Sequence, residues 1–237
     1  RAQLDALIDA DINDPEIALS CTSGITDMSN LFRDTDFNQN INFWDTSNVT
    51  DMSFMFFNTN LFNKPINNWD VSAVLNMRYM FNFSSFNQPL SDWNVSNVSN
   101  MSSMFNGNSS FNQPLNSWDV SNVTNMNSMF YNATSFNQEL DNWDVSNVTD
   151  MQIMFFYALS FSQDISDWCV EEISSEPSNF SNGSPLTSNQ KPDWGASCSN
   201  FYVENNTCKC PDANFGDSEQ VTINGQQKTF TKRTRAQ

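Results

Sequence analysis

The chain has 237 residues and a formal net charge of −17, from 27 acidic and 10 basic residues, and it contains no histidine. Phosphate neutralisation requires clustered lysine and arginine, so this balance argues against a nucleic-acid partner and against an anionic membrane surface. The longest apolar runs are far shorter than the roughly 20 residues of a spanning helix, so we expect no membrane insertion.

Residues 1–24 lie outside the repeat that follows and predict a helical N-terminal cap. The segment LDALI places its leucines and its isoleucine on one helical face. Asp14 followed by Pro15 is typical of an N-cap and a first helical position. A repeat array needs such a cap because its first unit lacks a neighbour on one side.

A pattern of 24 or 25 residues recurs between residues 25 and 168, marked by regularly spaced tryptophan, phenylalanine and methionine. A propeller blade needs roughly 40 residues, so this period favours a repeat solenoid of about six coils. No coil of this length buries its own apolar side chains, so stacking must build one continuous core. The tryptophans of this predicted core are Trp44, Trp69, Trp93, Trp118, Trp143 and Trp168.

Each coil is predicted to hold a short strand, a turn and a short helix. Partial alternation of apolar and polar residues indicates a strand at Leu115–Val120, and a turn is expected at 121–122. Methionine, methionine and phenylalanine at spacings i, i+3 and i+4 indicate a short helix over Met126–Phe130.

Polar residues also repeat, which predicts side-chain ladders between coils. Asparagines stacked about 4.8 Å apart can satisfy backbone groups of the turns. The alternative is a calcium-binding carboxylate ladder, but calcium-binding nonapeptide repeats are rich in glycine and this chain has only 6. We therefore expect no cofactor and keep calcium as the alternative. The ladder residues are Asp45, Asp70, Asp119 and Asp144 after the tryptophan, and Asn48, Asn97, Asn122 and Asn147 in the turn.

Sequons of the form N-x-S/T are frequent, partly because the chain is rich in asparagine and serine. If the protein is secreted from a eukaryotic cell, the exposed sequons would carry glycans. The favoured sites lie outside the tightly packed turn and are Asn82, Asn108, Asn132 and Asn205.

The C-terminal part does not follow the repeat. Residues 169–200 predict a C-terminal cap with a loose segment, since residues 174–200 are rich in serine, asparagine and proline. Residues 201–237 form a cysteine-containing tail, in which Asn224 and Gly225 stand between strand-like runs and predict a β-hairpin.

The five cysteines lie outside the coils and lack the paired C-x-x-C spacing of a structural zinc site. This distribution suits disulfides in an oxidising compartment. We predict that Cys169 bonds to Cys198 and closes the C-terminal cap. Cys21 is predicted to bond to Cys208 or Cys210 of an adjacent unit, since an odd number leaves one cysteine without a partner in the chain.

The two ends of the sequence carry the same tripeptide, Arg-Ala-Gln, at residues 1–3 and 235–237. The sequence also begins without an initiator methionine or a signal peptide, which indicates processing from a longer polypeptide. The matching ends suggest one period of a tandem array, in which the hairpin leads into the next cap. The alternatives are a free subunit whose tail docks on a neighbour's cap by strand addition, and coincidence.

The unit SFNQPLNSWDVSNVTNMNSMF resembles the bacterial surface-protein repeat of about 26 residues that occurs in mycoplasma lipoproteins and Listeria-type surface proteins. The same repeat is common in secreted proteins of marine algae and is grouped with BspA-like leucine-rich repeats. The resemblance covers residues 25–168. It implies a leucine-rich-repeat-like solenoid, located on the cell surface or in secreted material, without catalytic residues and with adhesion as the usual inferred role.

These observations favour an extracellular structural or adhesive surface glycoprotein that assembles head to tail with copies of itself into a filament. The alternative is a monomeric solenoid that binds a protein or a glycan on its repetitive face. A cluster of exposed aromatic residues that breaks the period would favour the alternative, and the sequence shows none clearly. An enzyme is not expected, because the chain has no histidine, no nucleophile motif and no glycine-rich phosphate loop.

Overall fold

The computed structural model describes residues 1–196 and, beyond them, the backbone of four β-strands. Two α-helices, α1 (Ala2–Ala10) and α2 (Pro15–Leu19), precede the repeat, and a 3-10 helix follows it at Ser188–Gln190. The strands form two antiparallel pairs, namely β1 with β2 and β3 with β4. Their bounds are Tyr202–Glu204 (β1), Thr207–Lys209 (β2), Ser218–Ile223 (β3) and Gln226–Thr231 (β4).

Residues 20–187 contain no α-helix and no β-strand, so the predicted strand and helix of each coil are wrong. The predicted helix at Met126–Phe130 is a run of overlapping turns, and Leu115–Val120 is irregular backbone. The helix is excluded because Ser128 has a left-handed φ of 58°, which a right-handed helix does not accommodate. A leucine-rich-repeat-like solenoid of strand, turn and helix is therefore not the fold of this chain.

The repeat instead forms a stack of irregular coils that are joined by isolated parallel β-bridges. One bridging residue opens each coil, and the six of them are Asp27, Asp51, Asn76, Asn100, Asn125 and Asp150. We number the coils 1 to 6 from these residues, so that they span 27–50, 51–75, 76–99, 100–124, 125–149 and 150–174. This repeat stack occupies most of the described part of the chain.

In each coil a segment that starts at the bridging residue and ends at the second left-handed residue carries most of the backbone hydrogen bonds between coils. We call it the turn segment, and in coil 2 it spans residues 51–58. In coil 2 the N–H of Phe54 donates to the carbonyl of Arg78 in coil 3 at 3.0 Å. The N–H of Phe57 donates within its own coil, to the carbonyl of Phe54 at 3.1 Å. Alternate N–H groups therefore point along the stack and around the coil. This alternation requires two left-handed residues in every turn segment.

Phenylalanine rings fill the centre of the stack. Within coil 4 the rings of Phe105 and Phe111 stack with their centroids 3.9 Å apart, and the ring of Phe130 in coil 5 lies 5.7 Å from that of Phe105. Burial of each such side chain stabilises the fold by about 1.5–3 kcal/mol. The fully buried phenylalanines of the six coils are Phe32, Phe37, Phe56, Phe62, Phe81, Phe86, Phe105, Phe111, Phe130, Phe136, Phe155 and Phe161.

The predicted core tryptophans are buried, and the indole N–H of each donates a hydrogen bond to a backbone carbonyl of the preceding coil or, for coil 1, of α2. The indole N–H of Trp118 donates to the carbonyl of Leu90 in coil 3 at 2.9 Å. Coil 1 has no preceding coil, and there Trp44 donates to the carbonyl of Ala18 in α2 at the same distance. Helix α2 therefore takes the place of a coil at this end of the stack. Its predicted N-cap is confirmed, since the Asp14 carboxylate accepts the N–H of Glu16 at 2.9 Å.

Residues 175–196 cover the other end of the stack. The N–H of Phe155 donates to the carbonyl of Phe180 at 2.8 Å, and the Trp194 ring packs edge-on against Phe180 with centroids 4.9 Å apart. Cys169 is disulfide-bonded, and its predicted partner, Cys198, lies outside the described residues. Cys21 is a free, exposed thiol, so its bond to an adjacent unit stays a prediction.

Two further predictions fall partly or wholly outside the described residues. The side chains of Cys208 and Cys210 are among the parts not described. The predicted hairpin turn at 224–225 is likewise not described, although Ile223 and Gln226 on either side of it pair across β3 and β4. Within the part of the chain that is described, no helix is long and apolar enough to cross a membrane.

We expect Trp118→Phe to keep a ring in the core while removing the donor to the Leu90 carbonyl. An unsatisfied buried carbonyl costs about 1–3 kcal/mol and the lost ring volume adds to this, so the free energy of unfolding should fall by about 2–4 kcal/mol. Urea denaturation followed by fluorescence measures it. Leu75→Ala, at a side chain that is 51% exposed, is the surface control. A loss no larger than that of the control would contradict the structural role of the indole.

Candidate functional site

Six side chains from the turn segments of coils 1–3 are not part of the buried core and lie on the outside of the stack. They combine two guanidinium groups with four aromatic rings. We call this surface the arginine–aromatic face, and its residues are Arg33, Phe54, Phe57, Arg78, Tyr79 and Phe83.

The rings and guanidinium groups of this face pack against one another. The rings of Phe54 and Tyr79 are stacked, with centroids 4.6 Å apart and planes 5° from parallel. The Arg33 guanidinium lies 5.1 Å from the centroid of Phe54 and 4.9 Å from that of Phe57. The Arg78 guanidinium lies 5.3 Å from Phe54 and 5.1 Å from Tyr79. These distances are those of cation–π contacts, so each guanidinium is held against ring faces.

The face concentrates positive charge on an acidic chain. Arg33 forms an ion pair with Asp34 at 3.1 Å, whereas Arg78 forms no ion pair with any residue of the described part of the chain. Two of the five lysines and arginines of residues 1–196 lie on this face. Those five are Arg1, Arg33, Lys64, Arg78 and Lys191.

Phe83 is the most exposed ring of the face, at 50% of its surface. Its ring lies over Gly107 of coil 4, where an added Cβ would stand only 2.3 Å from a ring carbon. A larger residue at Gly107 would have to displace the Phe83 ring, and the φ of +69° also favours glycine. The same arrangement recurs in coil 6, where Tyr157 lies over Gly183.

Three rings of the face stand on left-handed backbone. The φ values are 57° for Phe54, 58° for Tyr79 and 51° for Phe83. A bulky residue in this region costs about 1–3 kcal/mol, whereas glycine and asparagine adopt it readily. At the position of Phe83, coil 4 has Gly107 and coil 5 has Asn132. The stack therefore does not need a ring here, which makes the exposed ring a candidate for a role outside the fold.

Sequence reasoning missed this face because its rings lie within two residues of core phenylalanines. Phe57, for example, directly follows the buried Phe56. The available signal was the departure from the repeat, since the coil-4 equivalents of Phe54 and Phe83 are Ser103 and Gly107.

The aspartates of the predicted ladder accept hydrogen bonds from the serine two residues later in their own coil. The Asp70 carboxylate accepts the N–H of Ser72 at 3.0 Å and its hydroxyl at 2.6 Å, and the equivalent turns have the same bonds. The predicted asparagines act between coils instead, as Asn122 shows by donating to the carbonyl of Ser96 in coil 3 at 2.7 Å. Asn48, Asn97 and Asn147 donate in the same way. Within residues 1–196, no group of three acidic or cysteine side chains is placed to hold a metal ion.

Two of the four predicted glycosylation sites are buried. Asn82 is 1% exposed and its amide donates to the carbonyl of Ser103, while Asn108 is fully buried and donates to the carbonyl of Phe86. A glycan on either side chain would require opening of the coil, which argues against both sites. Asn132 is half-buried and stays a predicted site, and Asn205 lies outside the described residues.

The turn hydrogen bonds lower the pKa of two ladder carboxyl groups. For Asp45 and Asp70 the pKa lies below the ordinary value of 3.8, chiefly because the hydroxyl of the serine two residues later donates to the carboxylate. The N–H of the same serine adds to this effect. Both bonds favour the ionised form.

We expect the double variant Asp45→Asn/Asp70→Asn to flatten the loss of stability in acid. A pKa that is lower in the folded chain stabilises the fold above pH 3.8, and this contribution is lost as the pH falls through the lowered values. Urea midpoints measured between pH about 5 and about 2 test this expectation. Glu139→Gln/Glu172→Gln removes the same charge from exposed positions and is the control. Equal acid sensitivity of the ladder variant and the wild type would contradict the linkage.

Comparison with protein families gives a match over most of the chain. The family model described as DUF285, Mycoplasma protein of unknown function, matches residues 7–106 and 82–194, which together include all six coils. The predicted resemblance to a mycoplasma repeat family is thereby confirmed at the level of the family, but its leucine-rich-repeat type is not. No curated protein and no solved structure matches the chain.

Proposed function

The chain belongs to the Mycoplasma DUF285 family, and from this premise we propose that it is an extracellular surface protein with a structural or adhesive role. The observation that carries the adhesive role is the arginine–aromatic face. Phe83 is 50% exposed and stands on left-handed backbone, as do the half-buried Phe54 and Tyr79, whereas most rings of the described residues are buried in the core. Repeat arrays commonly bind their partners on extended surfaces that several repeats build together.

The rest of the described surface supports contact with a large partner rather than capture of a small molecule. Small-molecule sites are concave and largely enclosed. The best-formed depression of the described residues is an open groove of about 360 Å³ on coils 4–6, away from the arginine–aromatic face. Polar residues dominate its lining, which consists of Pro114, Asn116, Asn137, Gln138, Glu139 and Gln163.

Head-to-tail assembly into a filament remains a prediction, and the N-terminal cap limits how it can occur. The Arg1 guanidinium donates to the carbonyls of Asp27 and Ser29 at 2.8 and 3.0 Å, and Trp44 is bonded to α2. A second copy that added a coil directly onto coil 1 would have to displace these contacts. Assembly through another surface is compatible with the cap.

The second candidate is a monomeric binding module for a protein or a glycan, and the same face favours it. Interfaces are enriched in aromatic residues and arginine, and the residues that dominate their binding energy are often tyrosine and arginine. In the first candidate function, the chain itself builds a surface layer. In the second, it only attaches to such a layer. No catalytic role is proposed, because the regular carboxylates such as Asp45 and Asp70 are engaged in turn hydrogen bonds.

Protease treatment of intact cells that produce the protein tests the extracellular location. We expect added proteinase K to remove the full-length chain, detected with an antibody, while a cytosolic marker in the same cells stays intact. Permeabilised cells, in which both proteins are accessible, are the control for digestion. Protection of the chain until the cells are permeabilised would contradict the proposed location.

A further inference from the structure

We propose that the arginine–aromatic face binds an acidic protein segment, in which carboxylate side chains stand beside apolar or aromatic ones. This inference rests on the proposed adhesive function and names the chemistry of the partner. It is derived from the arrangement of the guanidinium groups, from the way the ring faces are covered, and from the charge of the surrounding surface.

The arginines provide the carboxylate-binding groups. A guanidinium that lies over aromatic rings can still donate from its N–H groups to a carboxylate in a two-pronged arrangement. Arg78 is exposed and forms no ion pair within the described residues. Arg33 already pairs with Asp34, so Arg78 is the primary donor for a ligand.

The covering of Phe54 at the centre of the face favours a protein segment over a polysaccharide. Stacking of a sugar ring requires an open aromatic face, and the central ring of the face, Phe54, is covered by Tyr79 and both guanidinium groups. Ring edges carry the positive part of the aromatic quadrupole and therefore favour oxygen atoms of an anionic group. Phe83 is half exposed and offers apolar surface to a neighbouring side chain of the ligand.

The surrounding charge makes this face selective. The chain carries a net charge of −17, so most of its surface repels an acidic segment. At physiological salt this long-range repulsion is screened beyond about 8 Å, while direct contacts at the face are screened less. An acidic segment is therefore attracted at Arg33 and Arg78 while the acidic surroundings disfavour other contacts.

Fluorescence anisotropy with the full chain tests the inference. The probe is a labelled synthetic ten-residue peptide of alternating glutamate and tyrosine, in 0.15 M salt. We expect saturable binding that Arg78→Gln weakens about tenfold or more, since charge-assisted hydrogen bonds are lost. Lys64→Gln is the control. It removes one positive charge outside the arginine–aromatic face, at a position that holds glutamine in the other coils, and it should leave the affinity unchanged. Equal weakening by both variants would overturn the inference.

Two companion peptides and a polysaccharide complete the test. Replacing the glutamates of the probe by glutamine, or its tyrosines by serine, should each weaken binding about tenfold. Absence of saturable binding, or tighter binding of polygalacturonate than of the glutamate–tyrosine peptide, would sink the assignment to an acidic protein segment. Those results leave the protease experiment on intact cells unaffected, so a wrong ligand class and a wrong location are distinguishable.

Discussion

The hydrogen bond from each tryptophan indole to a backbone carbonyl of the preceding layer sets the register on which the structure depends. Trp118 and its equivalents fix one coil against the next, and the phenylalanine rings then meet at centroid distances near 5.7 Å. The coils have almost no regular secondary structure of their own, so contacts between coils hold the fold together. Helix α2 completes the pattern by accepting the Trp44 indole N–H.

The sequence predicted the burial of the tryptophans and the N-cap of α2, but the predicted strand and helix of each coil are wrong. The tryptophans recur at a regular spacing, and a coil of this length can bury such side chains only against neighbouring coils. Asp14 before Pro15 is a local signal of a helix N-cap. Apolar residues at i, i+3 and i+4, as in Met126–Phe130, fit a helix and a tight turn equally well. The deciding feature is the left-handed Ser128, which follows from hydrogen bonding to the next coil and has no signature in residue type.

The candidate site was harder to predict because its rings resemble those of the core. Only the comparison between coils separates Phe83, which is half exposed over Gly107, from Phe81, which is fully buried two residues earlier. The same left-handed position holds asparagine or glycine in coils 2, 4 and 5 and a ring at Phe83 and Tyr157, and a bulky residue on this backbone works against stability. Residues retained against stability are typical of functional surfaces.

The central claim is that this ring serves binding and not the fold, and Phe83→Asn tests it most directly. Asparagine occupies the equivalent position at Asn58 and Asn132 and tolerates the left-handed backbone. We expect the free energy of unfolding to stay within about 1 kcal/mol of the wild type, because relieved strain offsets the lost contact. Binding of the glutamate–tyrosine peptide should fall about tenfold. A loss of about 3 kcal/mol or more with unchanged binding would show that Phe83 belongs to the core.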